Sequence, residues 1–112
     1  MGSSLPAAAI LVLTSLPDVE GARRMARDLV EARLAACVQI GAPVESLYHW
    51  RGRVETATEI PVAIKTRADA FPALEQAIRE RHPYELPEIV AVPFTDALPA
   101  YLAWIDAETR PA

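Results

Sequence analysis

The sequence predicts one α+β domain in which the elements follow as βαββαβα, and three observations carry that reading. Two segments repeat apolar residues at helical spacing, apolar runs with β character stand at residues 7–13 and 89–92, and two long strand-like segments flank Arg51 and Gly52. A chain of 112 residues has apolar content for one core and too little for two, so residues 1–112 are read as a single domain.

Residues 1–6 are small and polar and are expected to fray. Strand one is the run AAAILVLTSLPD, closed by turn residues. Pro17 and Asp18 then open a helix in which Ala22, Met25, Ala26, Leu29 and Ala32 share one face while Arg23, Arg24, Arg27 and Glu31 point away. The segments AACVQIGAPVESLYHW and RVETATEIPVAIKT form a hairpin about Arg51 and Gly52, since glycine supplies the positive φ of a tight reversal. Asp69 is the expected cap of a second helix carrying Phe71, Leu74, Ala77, Ile78 and Arg81. Pro83 stops that helix, because the residue before a proline is pushed out of the α region. EIVAVPFT is the last strand, and Pro99 starts a closing helix with Leu98, Tyr101, Leu102 and Ile105.

With right-handed crossovers this order gives a ferredoxin-like βαββαβ sandwich with an extra C-terminal helix. An antiparallel sheet with one wet face alternates apolar and polar residues. Here Ile10 and Val12 on one face, and Ala9, Leu11 and Leu13 on the other, are all apolar, as are Ile89, Val90, Ala91 and Val92. One small chain is expected to have helices for one face only, so a second subunit is expected to cover the other. The hairpin agrees. Strands of about 14 residues would reach ~45 Å, against roughly 34 Å for a compact domain of this size. A two-residue turn sets Pro43 opposite Ile60 and Pro61 opposite Ala42, so two prolines interrupt the ladder at one level, with Gly41 easing a bend. Residues 44–59 can then leave the sheet and pair with a neighbour. One face of that outer half carries Val44, Ser46, Tyr48 and Trp50 against Arg53, Glu55, Ala57 and Glu59.

Net charge is −4 with scattered basic residues, which excludes the footprint of a nucleic-acid binder. The run at residues 7–13 is too short to span a bilayer, so no membrane is expected as partner, and no targeting pattern precedes it. A single cysteine, Cys37, fits a reducing compartment, with cytoplasm the expectation. No nucleophile with a base and no glycine-rich phosphate loop appears, so catalysis is not expected.

The blocks RLAACVQI, SLYHWRGRV, EIPVAIKT, HPYELPEIVAVP and YLAWI, in this order and spacing, resemble the CutA divalent-cation tolerance family from about Ile10 to Ile105. The resemblance implies a ferredoxin-like protomer in a homotrimer whose sheets continue between subunits, an architecture similar to the PII signalling proteins, and a link to tolerance of copper and other divalent ions. It also implies a copper site built from a thiol at the end of strand one and histidines at the end of helix two. This chain has Thr14 and Arg81 at two of those positions and keeps only His82.

His82 is therefore the candidate metal ligand, for Cu(II) or another divalent cation, and the competing reading is a histidine that finishes a helix. An ion would borrow ligands from a neighbour or from Glu85 and Glu88. The alternative function is a PII-like scaffold holding a small anion or a protein partner in an intersubunit cleft of Trp50, Glu59, Lys65, Tyr84 and Glu88. In that set Lys65 is either the anion contact or a snorkelling edge lysine. Leu47, Tyr48, Trp50 and Trp104 are expected at the interface. Cys37 reads as a small buried hydrophobe, His49 as a surface or interface residue, and Arg33 as a salt-bridging residue in the last turn of helix one. The PYELP spacing is expected to carry Tyr84 to a cleft instead of the core.

Overall fold

A computed structural model describes residues 8–111, so the fray expected at residues 1–6 lies outside the described residues. The elements are β1 (Ala9–Leu16), α1 (Val19–Glu31), β2 (Cys37–Ile40), β3 (Val44–Trp50), β4 (Arg53–Arg67), α2 (Phe71–Arg81), β5 (Val90–Pro93) and α3 (Pro99–Glu108). The sheet runs β2-β4-β1-β5 with every neighbour antiparallel, and β3 pairs with the outer half of β4. Among the described residues no helix is long and apolar enough to cross a membrane.

Local chemistry sets the ends of α1. The Asp18 carboxylate accepts from the Gly21 N–H at 2.7 Å, satisfying one of the helix's orphan donors. At the other end the N–H of Arg33 reaches the Val30 carbonyl at 3.0 Å and that of Leu34 the Leu29 carbonyl at 3.0 Å, with Arg33 left-handed at φ 59°. Arg33 thus stands past the helix, not in its last turn, and its guanidinium pairs with Glu108 at 3.8 Å. Asp69 also departs from expectation. It lies in a 3-10 turn, Ala68–Ala70, pairs with Arg67, and leaves α2 to start at Phe71 without a side-chain cap. Proline at the first turn takes over, because its missing N–H is one that the helix could not have satisfied.

The two faces of the sheet are covered differently. Ile10, Val12, Leu16, Ile60, Val62 and Ile64 pack against α1 and α2 through Met25, Leu29, Leu74 and Ile78. Thr66 is fully buried in this layer, and its hydroxyl donates to the Leu34 carbonyl at 2.8 Å. On the opposite face α3 packs against β4 and β1, with Ile105 buried. Arg67 holds the end of α3 there, donating from Nε to the Thr109 hydroxyl at 2.8 Å and from Nη2 to its carbonyl at 2.9 Å. The chain therefore supplies some cover to both faces, which corrects the expectation of helices for one face only. Val90 and Val92 on β5 stay exposed.

The hairpin projects. The molecule measures 56 × 26 × 23 Å with a radius of gyration of 15.3 Å, against about 13 Å for a compact chain of this length. Its turn has positive φ at both Arg51 (52°) and Gly52 (80°), the backbone twist that matches flanking strands. The outer ladder has the expected register, Val44 with Glu59 through Trp50 with Arg53. The inner ladder does not, because Cys37 pairs with Lys65 and Ile40 with Val62. Three residues, Gly41 to Pro43, thus stand against two on β4, Ile60 and Pro61, which is a bulge of one residue. Consequently the break falls on one strand only, and β4 runs unbroken through Pro61.

Gly41 sits at this bulge, donating its N–H to the Pro61 carbonyl at 2.8 Å, and a Cβ placed on it would lie 2.9 Å from Pro61 Cγ. Gly41→Ala is expected to cost about 1–3 kcal/mol through that overlap. Denaturant unfolding checks this, and Pro61→Ala in the same chain should recover part of the loss.

Candidate functional site

The chemistry-bearing side chains meet where the hairpin leaves the sheet. A one-residue bulge exchanges the faces of a strand, so even-numbered residues face the helices in β2 and the opposite side in β3. That exchange turns Tyr48 to the side occupied by Glu55 and Glu59. Ser15 reaches the same side because it pairs with Pro61, next to Glu59 along β4 in the alternating sense, and its hydroxyl donates to Glu59 Oε2 at 3.3 Å. Tyr84 arrives from the segment after α2. Its phenol lies within electrostatic reach of Glu59 and of Tyr48.

His82 anchors the start of that segment. It is buried, with extended backbone, at the cap of α2. Its Nε2 is 2.7 Å from the Ser15 carbonyl, its Nδ1 accepts the Tyr84 N–H at 3.2 Å, and its ring lies 4.8 Å from the Tyr84 ring. A nitrogen that accepts an N–H must carry its lone pair, so Nδ1 is unprotonated and Nε2 holds the hydrogen given to Ser15. The imidazole faces the carbonyl of Ser15 and not its hydroxyl, so the serine–histidine contact of a hydrolase is not formed.

The other expected cleft residues are dispersed within one protomer. Trp50 is at the hairpin tip, with the Arg51 guanidinium 5.4 Å from its ring centroid and paired to Glu85 at 3.1 Å. Lys65 lies on the α3-covered face with its Nζ 5.6 Å from the Tyr101 ring. Glu88 is exposed just ahead of β5. Leu47, Tyr48 and Trp104 are exposed, and Trp104 also stacks on Tyr101 at 5.5 Å. His49 is exposed opposite Val54. Cys37 is half-buried across from Lys65, not buried as expected.

Ser15 is the participant that sequence reasoning missed. The signal was a hydroxyl at the end of an apolar strand, and only the β1–β4 register reveals its carboxylate neighbour. Among the described residues no three His, Cys, Asp or Glu side chains gather to hold a metal ion, and the buried Thr14 hydroxyl has no hydrogen-bond partner.

Tyr84 is the group whose acidity this arrangement changes. Burial, the hydrogen bond to Glu59 and the charges of Glu59 and Tyr48 push it up to about 12. Because its folded value exceeds the ordinary value near 10, its contribution to stability is complete below pH ~10 and is lost as pH rises toward 12. Glu59→Gln is expected to lower the Tyr84 value without returning it to 10, since burial remains. Phenolate absorbance titration checks this, with Tyr84→Phe assigning the transition.

The CutA1 divalent ion tolerance protein family matches residues 10–108. The divalent-cation tolerance protein CutA of Thermus thermophilus is 42% identical over 88% of this chain and 96% of its own length. CutA1 from Oryza sativa has a TM-score of 0.92 at 35% identity, covering 97% of this chain and 100% of that one. CutA1 from the psychrotrophic bacterium Shewanella sp. SIB1 gives 0.87 at 43%, covering 94% and 97%. The chain spans 60% of the length of mouse protein CutA, at 36% identity. With one family matching nearly the whole described chain and relatives of this similarity agreeing with it, the protein belongs to the CutA1 divalent ion tolerance family.

Proposed function

We propose that this protein serves tolerance of copper and other divalent cations as a homotrimer of ferredoxin-like protomers, with weak metal contacts completed between subunits. The observation that carries the assembly is the exposure of apolar side chains on a projecting hairpin, with Leu47 and Val54 each 65% exposed on one face and Tyr48 exposed on the other. An isolated strand pair of that composition is marginal in water and presents open edges, so pairing with a second copy removes both costs. The strand order β2-β4-β1-β5 and the placement of α1 and α2 on one face support the ferredoxin-like description.

The metal reading rests on family membership and on the carboxylates near the hairpin. Glu85 and Glu88 stand on the exposed segment between α2 and β5, and a neighbour brought against that segment would supply further oxygen or nitrogen ligands. Ligands divided between chains make binding depend on assembly and keep it weak. The reducing environment implied by a single cysteine favours the cytoplasm as the working compartment.

Light scattering should give three times the mass of the 12.2 kDa chain at micromolar concentration, and deletion of residues 48–55 should yield insoluble or unfolded protein. Copper titration of the intact assembly should give weak binding. A stable monomer would contradict the assembly, and a tight stoichiometric copper site lost with Cys37→Ala would contradict the metal reading.

A further inference from the structure

We infer that His82 is a positioning residue and not a metal ligand: its two ring nitrogens strap the segment after α2 to β1 so that Tyr84 meets Glu59. The inference concerns the site treated above, and it stands or falls separately from the proposed role in cation tolerance.

The geometry leaves the imidazole nothing to offer an ion without loss elsewhere. A metal binds an imidazole lone pair, and the only one in this tautomer is on Nδ1, facing the Tyr84 N–H at 3.2 Å. Shifting the proton to free Nε2 would remove the donor from the Ser15 carbonyl at 2.7 Å and set a proton on Nδ1 against the Tyr84 N–H. The ring is also buried at 9% exposure and packed on Tyr84. Either route therefore strands a buried polar group of the backbone, which costs more than the bond itself is worth. The second requirement of a site is missing as well. At the neighbouring position on β1, Thr14 is 2% exposed and its hydroxyl has no hydrogen-bond partner among the described residues, and neutral hydroxyls are poor ligands for copper. Arg81, adjacent to His82, is a cation engaged with Asp28 at 3.2 Å and with the Ala77 carbonyl at 2.9 Å.

What the ring does instead is close a circuit. The Tyr84 N–H donates to Nδ1, Nε2–H donates to the Ser15 carbonyl, the Ser15 hydroxyl donates to Glu59, and the Glu59 carboxylate acts on the phenol of Tyr84. The circuit links the end of β1, the point on β4 where the hairpin departs, and the first two residues beyond α2. Pro83 lies inside it with no N–H to give, so the histidine side chain replaces the backbone bonds that a proline turn cannot make.

The test uses the full chain with His82→Gln and His82→Ala, titrated with zinc and with copper. Glutamine keeps an N–H donor for the Ser15 carbonyl and removes the imidazole, so it separates strapping from ligation. Three results are expected. Nitrogen NMR of the wild type shows His82 protonated at Nε2 and unshifted by stoichiometric zinc. Copper affinity changes by less than about twofold in either variant. Amide exchange at Tyr84 is faster in His82→Ala by roughly tenfold, the effect of one lost hydrogen bond, and is largely restored in His82→Gln. Zinc-dependent shifts of the His82 ring, or copper binding lost equally in both variants, would overturn the inference, as would unchanged Tyr84 exchange in His82→Ala. Failure of cation tolerance in cells with all three results intact would instead count against the proposed function.

Discussion

The structure depends on one strand serving two ladders that are out of step. β4 runs for fifteen residues, pairing with β1 and β2 in its inner half and with β3 in its outer half. The mismatch is absorbed by one extra residue at Gly41 to Pro43, where Pro43 and Pro61 have no N–H to put into a ladder. A slip of one residue reverses every side chain beyond it. Val38 and Ile40 therefore pack toward the helices, whereas Tyr48 and Trp50 turn to the side of Glu59. Gly41 is the only residue type that fits against the Pro61 ring without displacing it.

From that reversal follow both the candidate site and the exposed surface. The site forms because the segment after α2 crosses the end of β1 and meets the reversed face of the hairpin, where Glu59 is shared by Ser15 and Tyr84. The surface forms because, among the described residues, nothing lies over Leu47 and Val54 on the other face. One bulge thus separates a half-buried side carrying Tyr48, Trp50, Glu55 and Glu59 from an open side on which Leu47 and Val54 stand among Glu45, His49, Thr56 and Thr58. In the proposed assembly, Leu47 and Val54 are the apolar side chains that a second copy would bury.

Much of this was legible from sequence, for reasons that can be named. Arg51 and Gly52 fixed the turn, and with it the outer register, because a two-residue loop leaves one pairing. Two apolar faces on β1 and an overlong hairpin were visible from period and length alone. Other features needed three dimensions. The inner register depends on which strand absorbs the extra residue, and prolines on both strands left that choice open. Asp69 has the composition of a cap, but Arg67 claims its carboxylate and the 3-10 turn intervenes. The place of α3 could not be read from its own pattern, because it is held by Arg67 and Thr109, which are 42 residues apart. For His82 the sequence offered a ligand or a helix terminator, while the partners that decide its role, Ser15 and the Tyr84 backbone, come from β1 and from beyond a proline.

The central claim is that the outer hairpin is built to be paired by another copy of the chain, and amide hydrogen exchange along it is the most direct test. A two-residue turn makes Trp50 and Arg53 a mutually bonded pair, and alternation then directs the N–H groups of Glu45, Leu47 and His49 outward from β3 and those of Val54, Thr56 and Thr58 outward from β4. Within one protomer both rows face solvent. The account predicts that at least one of these rows is protected to the same degree as the core amides of β1, because a neighbour's strand bonds it. Solvent-rate exchange in both rows, at a concentration where the protein is folded, would contradict it.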